Sequence, residues 1–319
     1  MMFPKTADES DAAWPDVDLS RWAPTKRSLH LYTQMLGKLR LALSPALPNW
    51  MFTALHLNAR GLTTGSMPWN SSAVEALIDV FDSAIVIRSS TGAERRIELV
   101  PARTVAEIFA AFGSALAALG VACRISPIPQ EVADTTPFHA DTQAPAYEPA
   151  AAQRWFRAVT SSAGIFDAWR SHFFGRSGIQ LWWGAFDLAL ILFNGRHFPA
   201  PADRGYLMKY DLDAELMNCG LYLGDENTPA FFYGYIFPQP SGAEAFAMTP
   251  AAVTWSTALK EWILPYDIVR RAAEPAAELR SFLDALYERC VTDAGWDRAQ
   301  LSYDAPPKLL LRHNDGTER

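Results

Sequence analysis

The sequence predicts an α+β fold of two similar α/β halves, with a largely antiparallel sheet flanked by helices. Three observations carry this prediction. Apolar residues recur at helical spacing in several long segments. Other segments alternate apolar with polar residues, as half-buried strands do, and two of them flank Thr91-Gly92 in the manner of a hairpin. One order of features also occurs twice. Helix, Leu36-Gly37-Lys38, Trp50 and Arg60-Gly61 in the first half are matched by helix, Phe174-Gly175-Arg176, Trp183 and Gly195-Arg196 in the second. An internal duplication leaves such an order, and its halves would share a cleft near their pseudo-twofold axis.

Residues 1–22 are acidic and read as a loose arm whose Trp14 and Trp22 dock on the body. The first half, residues 23–126, opens with a helix capped by Thr25, with Leu29, Tyr32, Leu36 and Leu39 at helical spacing. Pro45 and Pro48 end that region. Residues 50–59 read as a strand with Leu55, Leu57 and Ala59 on one face and His56, Asn58 and Arg60 on the other. Residues 74–81 form a second strand, and 85–88 with 95–99 the hairpin. Thr104 and Glu107 match a capping box, in which each side chain satisfies a free backbone N–H of the first turn. That helix runs to Leu119, with Gly120 as its stop and 121–126 as a short strand.

Five prolines in 127–149 mark a linker between the halves. The second half, residues 150–303, starts with a long helix to about Phe174, with a break placed at Gly164. Residues 179–193 form one long strand or two, bent at Gly184, and Asn194-Gly195 reads as a turn. A loop over 197–211 precedes strands at 212–223 and 231–237, the latter with Phe231, Tyr233, Tyr235 and Phe237 at alternate positions. Thr249-Pro250 reads as the start of a helix reaching Leu264. A last helix runs from Pro275 to before Gly295, and 304–319 reads as a disordered tail.

With 319 residues, half of them apolar, the chain can bury a large core. A net charge of −7 and the lack of any Lys/Arg run argue against nucleic acid as a partner. Cys123, Cys219 and Cys290 are an odd, widely spaced set, which points to free thiols in a reducing, cytoplasmic compartment. The N-terminus carries Asp8, Glu9 and Asp11 where a signal peptide has a basic and then an apolar stretch. The most apolar segment, 179–193, contains Gln180 and Asp187 and is shorter than the ~18 residues of a membrane span, so no membrane is expected.

No dinucleotide, P-loop, zinc-protease, nucleophile-elbow or EF-hand motif is present, and the six histidines show no metal-ligand spacing, so no metal or cofactor is assigned. Three weaker constellations remain. Gln34, Lys38 and Arg40 with Arg60, Thr63 and Thr64 suit a phosphate or carboxylate, or else form a solvated helix face and a turn. Asp187 lies in an apolar strand, where an unpaired carboxylate is costly; Arg170, Arg176 and Arg196 are its expected partners, in a structural pair or a catalytic one. Trp182, Trp183, Phe186, Phe231, Tyr233 and Tyr235 form a stripe that is core or pocket lining. His56 is placed as a general base or as part of a hydrogen-bond network.

At these same segments the chain resembles domain-of-unknown-function family 5996. The residues that carry the resemblance are Leu29-His30-Leu31-Tyr32-Thr33-Gln34, Gly37-Lys38, Arg60-Gly61-Leu62-Thr63-Thr64, Pro101-Ala102-Arg103-Thr104-Val105-Ala106, Trp183-Gly184-Ala185-Phe186-Asp187-Leu188, Asn194-Gly195-Arg196, Leu264-Pro265-Tyr266 and Gly295-Trp296-Asp297-Arg298. They run from about Trp22 to Leu301, which implies one full-length family unit and supplies no activity. The family pattern carries histidine where this chain has Asn49, Ser83, Gln180 and Ala214. If family chemistry uses those imidazoles, the resemblance implies that the retained Gln34, Lys38, Arg60, Asp187, Arg196 and Glu215 bind without turnover.

Two functions are therefore expected. In the first, a small anionic metabolite sits in a cleft between the halves, held by Gln34, Lys38, Arg60, Thr63 and Arg196, with Asp187, Glu215 or His56 for any acid–base step. In the second, the chain is a non-catalytic interaction or scaffold protein, able to form a homodimer, whose eleven tryptophans supply interface area.

Overall fold

The computed structural model describes residues 13–199, 205–225 and 227–302. The expected tail and residues 1–12 of the arm lie outside them. Among the described residues are twelve strands in one antiparallel sheet, with seven α-helices. The first half contributes helix α1 (Ala23–Leu43), strands β1 (Leu55–Asn58), β2 (Gly61–Thr63), β3 (Met67–Trp69), β4 (Ser72–Asp79), β5 (Ala84–Ser89) and β6 (Glu94–Glu98), and helix α2 (Val105–Ala118). The second contributes α3 (Pro149–Arg170), β7 (Gln180–Trp182), β8 (Asp187–His197), α4 (Tyr206–Asp211), β9 (Ala214–Tyr222), β10 (Phe231–Phe237), β11 (Thr254–Ser256) and β12 (Glu261–Pro265). Helices α5 (Tyr266–Arg271), α6 (Pro275–Thr292) and α7 (Arg298–Leu301) follow.

The sheet order is β11-β12-β10-β9-β8-β7-β1-β2-β4-β5-β6, with β3 paired to β4. The first strand of each half meets the other at the centre, with Leu55 opposite Leu181 and His56 opposite Gln180. In each half a helix is followed by strands laid outward from this pair, except that β3 lies off the path beside β4 and β12 returns between β10 and the edge strand β11. One sheet face packs on α1, α3, α5 and α6. Leu55, Leu62, Ile78, Leu188, Leu190, Cys219, Phe232 and Leu264 point into that layer and form the main core. The opposite face, called the front here, carries two smaller apolar clusters, Leu77 with Ala84 and Val86, and Ile191 with Leu212 and Leu216.

Several elements match the sequence reading. Thr104 and Glu107 form the capping box, and β10 alternates as expected. Trp22 is buried, and Trp14 packs on Phe232 and Tyr266 at ring distances of 6.5 and 6.2 Å. Residues 127–149 are packed along α1, with Phe138 fully buried and Asp141 paired to Arg27 at 2.7 Å.

Other elements differ. Helix α1 begins at Ala23, and the Thr25 hydroxyl instead accepts from the Glu148 N–H, which ties the starts of α1 and α3 together. The first strand starts at Leu55, because Pro48–Trp50 forms a 3-10 turn with Asn49 and Trp50 at positive φ. Residues 121–126 join no ladder, and α3 runs through Gly164 without a break. Asn194-Gly195 lies inside β8; Gly195, at φ +84°, makes a bulge where a turn was expected. Residues 206–211 of the expected loop are helix α4. The helix expected from Thr249 is the β11–β12 hairpin, in which Trp255 and Trp262 pair across the strands with ring centroids 5.1 Å apart. Cross-strand aromatic packing there outweighs the N1 preference of Pro250.

Candidate functional site

Antiparallel register fixes which side chains share the front face. One row crosses the sheet as His56, Gln180, Ala189, Gly220 and Tyr233. The next row on one side holds Trp182, Asp187, Tyr222 and Phe231, and on the other Ile191, Asn218, Tyr235 and Glu261. Ala189 and Gly220 have almost no side chain, and the space over Gly220 is taken by the Tyr233 ring. A Cβ on Gly220 would stand 2.5 Å from Tyr233 Cζ and Oη. The tyrosine ring therefore lies across β9, and its hydroxyl donates to the Asp187 carboxylate on β8.

Both halves wall this basin. The turn Pro48–Trp50 of the first half places Met51 and Asn49, and the Asn49 amide donates to the Asp211 carbonyl at 2.7 Å. Helix α4 leans on the same turn, with Trp50 against Tyr206 and Tyr210 at 5.7 and 6.3 Å. Exposed Glu131 comes from the segment joining the halves and lies so close over the β7–β8 turn that a Cβ on Gly184 would meet its Oε1 at 2.1 Å. Gln34 of α1 fixes that segment, giving to the Gln130 carbonyl at 2.7 Å and accepting from its N–H at 2.8 Å.

The basin is rich in acceptors. Asp187 is 7% exposed, and burial, countered by the Tyr233 hydrogen bond and reinforced by Glu131, pushes its carboxyl up to about 6. Burial, with Asp213 and Glu131, pushes Asp211 up to about 6, and burial with Asp187 pushes Glu261 up to about 7. Among the described residues none of Asp187, Asp211, Glu131 and Glu261 has a cationic partner. Two further acceptors, Gln180 Oε1 and Asn218 Oδ1, are buried without a donor among the described residues, and Gln180 is only 5% exposed. The Asn218 amide donates to the Tyr235 hydroxyl at 3.1 Å. Buried acceptors in such surplus are costly unless a donor reaches them.

The residues singled out in the sequence are placed differently. Asp187 and His56 share the front face, with β7 between their strands. His56 is held below its usual range by burial and then by Arg40. Asp187 and Arg196 begin and end the same stretch of β8, nine residues and about 30 Å apart at a strand's rise. None of the three expected arginines pairs with Asp187. Arg170 pairs with Asp167 and donates to the Ser177 carbonyl, Arg176 donates to the Phe173 and Phe174 carbonyls, and Arg196 pairs with Glu215 at 3.3 Å. Register puts Glu215 on the face opposite Asn218.

Arg60 is held by Asp79 and by Asp82, the latter at 2.6 Å. The Thr63 hydroxyl donates to Glu75 and accepts from the Gly65 N–H at 2.8 Å, and Thr64 is taken up by Gly65 and Ala76. Arg40 donates to the Phe52 and Thr64 carbonyls. Lys38 lies on the helix side between Trp183 and Phe138. The aromatic stripe is split, with Trp183 and Phe186 on the helix side against Gly37 and His30, and Trp182, Phe231, Tyr233 and Tyr235 on the front.

Nothing local in the sequence marks Glu131, Asp211, Glu261 and Asn218, since each reaches the basin through long-range register or a crossing loop. The one available signal is Gly220 in the alternation of 212–223.

Among the described residues no group of three or more His, Cys, Asp or Glu is placed to hold a metal ion, and no helix is long and apolar enough to cross a membrane. A cleft of about 810 Å³ lies elsewhere, between the arm at Asp16–Ser20 and α5 at Tyr266 and Arg270, and contains none of these side chains. We place the candidate site at the basin because the uncompensated polar groups are there. No curated protein and no solved structure matches the chain. A family model matches residues 14–303, and the chain belongs to that family, DUF5996, a family of unknown function.

Proposed function

We propose that the protein binds a small cationic ligand, with an ammonium or guanidinium head, on the front of the sheet where the two halves meet. The observation that carries this reading is the acceptor surplus around Asp187. Among the described residues four carboxylates lack a cation, and the Gln180 and Asn218 oxygens lack a donor. A donor-bearing cation supplies both needs, and the faces of Tyr233 and Tyr235 add cation–π attraction. This reverses the charge expected from sequence, because Arg60 and Arg196 are already paired within the chain. We read the site as binding without assigned turnover, in a reducing compartment where Cys123, Cys219 and Cys290 stay free.

Calorimetry with butylammonium, 1,4-diaminobutane and guanidinium, against inorganic phosphate and acetate, tests the reading at pH 8. Binding of the cations, weakened at least about tenfold by Asp187→Asn, supports it; a tenfold loss is 1.4 kcal/mol. Binding of phosphate with no response to any cation overturns it and restores the anionic expectation.

A second reading rests on α4, which presents Tyr206 at 72% exposure together with exposed Leu207, Met208 and Tyr210. Apolar side chains so grouped suit an interface with a second copy of the chain. Light scattering that shows a dimer, dissociated by Tyr206→Ser with Leu207→Ser, supports this; a monomer at high concentration removes it.

A further inference from the structure

A cavity of about 290 Å³ lies among α3, α6 and α7 and shares no residue with the acidic basin. That volume is at the small end of the range for ligand pockets, enough for one small molecule. Its floor is aromatic. Phe173 lies between Trp169 of α3 and Tyr287 of α6, with ring centroids 4.6 and 4.5 Å away, and all three residues are buried. The Phe174 N–H donates to the Leu301 carbonyl at 2.9 Å, and Phe173 bridges to Ser302, so the end of α7 is held against the end of α3.

The rim carries both signs of charge. Arg280, Asp284 and Tyr287 follow one another along α6 at spacings of one turn, so they share a face. Among the described residues neither Arg280 nor Asp284 has an ion-pair partner, and they do not pair with each other. Asp284 Oδ1 instead accepts from the Trp169 indole N–H at 2.7 Å, and its second oxygen has no donor among the described residues. Arg298 gives one arm of its guanidinium to Glu288 and lies 5.4 Å from the Tyr287 ring, so the rest of its fork is open to a guest. The Tyr287 and Ser302 hydroxyls share one hydrogen bond at 3.0 Å, which leaves one of their two hydrogens to give.

We propose that this cavity binds a free α-amino acid with an apolar side chain. Its carboxylate meets Arg280, Arg298 and the spare hydroxyl hydrogen, its ammonium meets Asp284, and its side chain lies on the aromatic floor. A zwitterion is the guest that answers this lining. A plain carboxylate would satisfy the arginines and face Asp284 unpaired, and a plain amine would do the reverse. The site stands or falls independently of cation binding at the basin.

Calorimetry of the full chain at pH 7 with L-leucine, 4-methylpentanoate and 3-methylbutylamine tests this, since the last two each lack one of the charged groups. Leucine should bind at least about tenfold more tightly than either, because each charge-assisted hydrogen bond lost is worth that much or more. Arg280 and Asp284 are exposed, so their variants keep the fold. Arg280→Ala should weaken leucine and 4-methylpentanoate and leave 3-methylbutylamine unchanged. Asp284→Asn keeps an oxygen for the Trp169 N–H and should weaken leucine and 3-methylbutylamine alone. No binding of leucine, or equal binding of all three compounds, would overturn the proposal. Leucine binding that survives Arg280→Ala and is lost in Asp187→Asn would place the guest in the acidic basin and overturn it as well.

Discussion

The Tyr233 hydroxyl donates to the Asp187 carboxylate across Gly220, a bond that links β10 to β8 over the strand between them. This reach requires a glycine. A side chain at position 220 would occupy the space of the tyrosine ring and meet the Leu188 carbonyl at 2.3 Å. Gly220→Ala should therefore cost about 1–3 kcal/mol, the usual range for overpacking, and displace Tyr233. Urea unfolding measures the loss, and near-ultraviolet circular dichroism reports the tyrosine. An unchanged midpoint and spectrum would show that the ring does not lie there.

The raised pKa of Asp187 makes stability depend on pH. Its carboxyl titrates near 6 in the folded chain and at 3.8 as a free side chain, so the folded state binds the proton more tightly. Stability is then greatest below the unfolded value and falls as pH rises through about 4 to 6, levelling off above. A shift of about two units corresponds to roughly 3 kcal/mol at most. Asp187→Asn should flatten part of that slope and raise the midpoint at pH 8 relative to pH 4. Denaturation of both proteins across this range checks it; parallel curves would contradict it.

Removing the Gln34 amide should free the segment that carries Glu131. Gln34→Ala deletes two hydrogen bonds to Gln130 and leaves two backbone groups to find water. A loss of about 1–3 kcal/mol is expected, with faster amide exchange confined to residues near 130. Exchange that rises equally across α1 would assign Gln34 a role in the helix instead.

Two helix glycines offer the opposite sign. Gly113 in α2 and Gly164 in α3 have ordinary helical backbone and open space for 4 Å around the place an alanine methyl would take. Alanine at either should stabilise by about 0.5–1 kcal/mol. Gly37→Ala should do the reverse, by driving its methyl into Trp183. Thermal midpoints of the three variants give the comparison.

Much of the fold was legible because its signals are local. The capping box at Thr104 and Glu107, the alternation in β10 and the hairpin around Thr91-Gly92 each depend on a few neighbouring residues. The carboxylate of Asp187 also stood out, as a charge in an apolar run. Its partner did not, because Tyr233 lies 46 positions away and reaches it only through sheet register. The arginines near Asp187 in sequence are spent on local carboxylates and carbonyls. Glu261 was hidden for another reason: its segment reads as helix until Trp255 and Trp262 are paired. Register also decides which face a residue occupies, so Glu215 and Asn218, three apart on β9, fall on opposite sides.

Carboxyl carbon NMR of the side chains of Asp187, Asp211 and Glu261, followed from pH 4 to pH 9 with and without butylammonium, tests the acidic basin most directly. All three resonances should titrate above the ordinary carboxylate range, near 6 to 7, and the added amine should move them to lower pH by favouring the ionised forms. Titration near 4 with no response to the amine would contradict a cation site on this face.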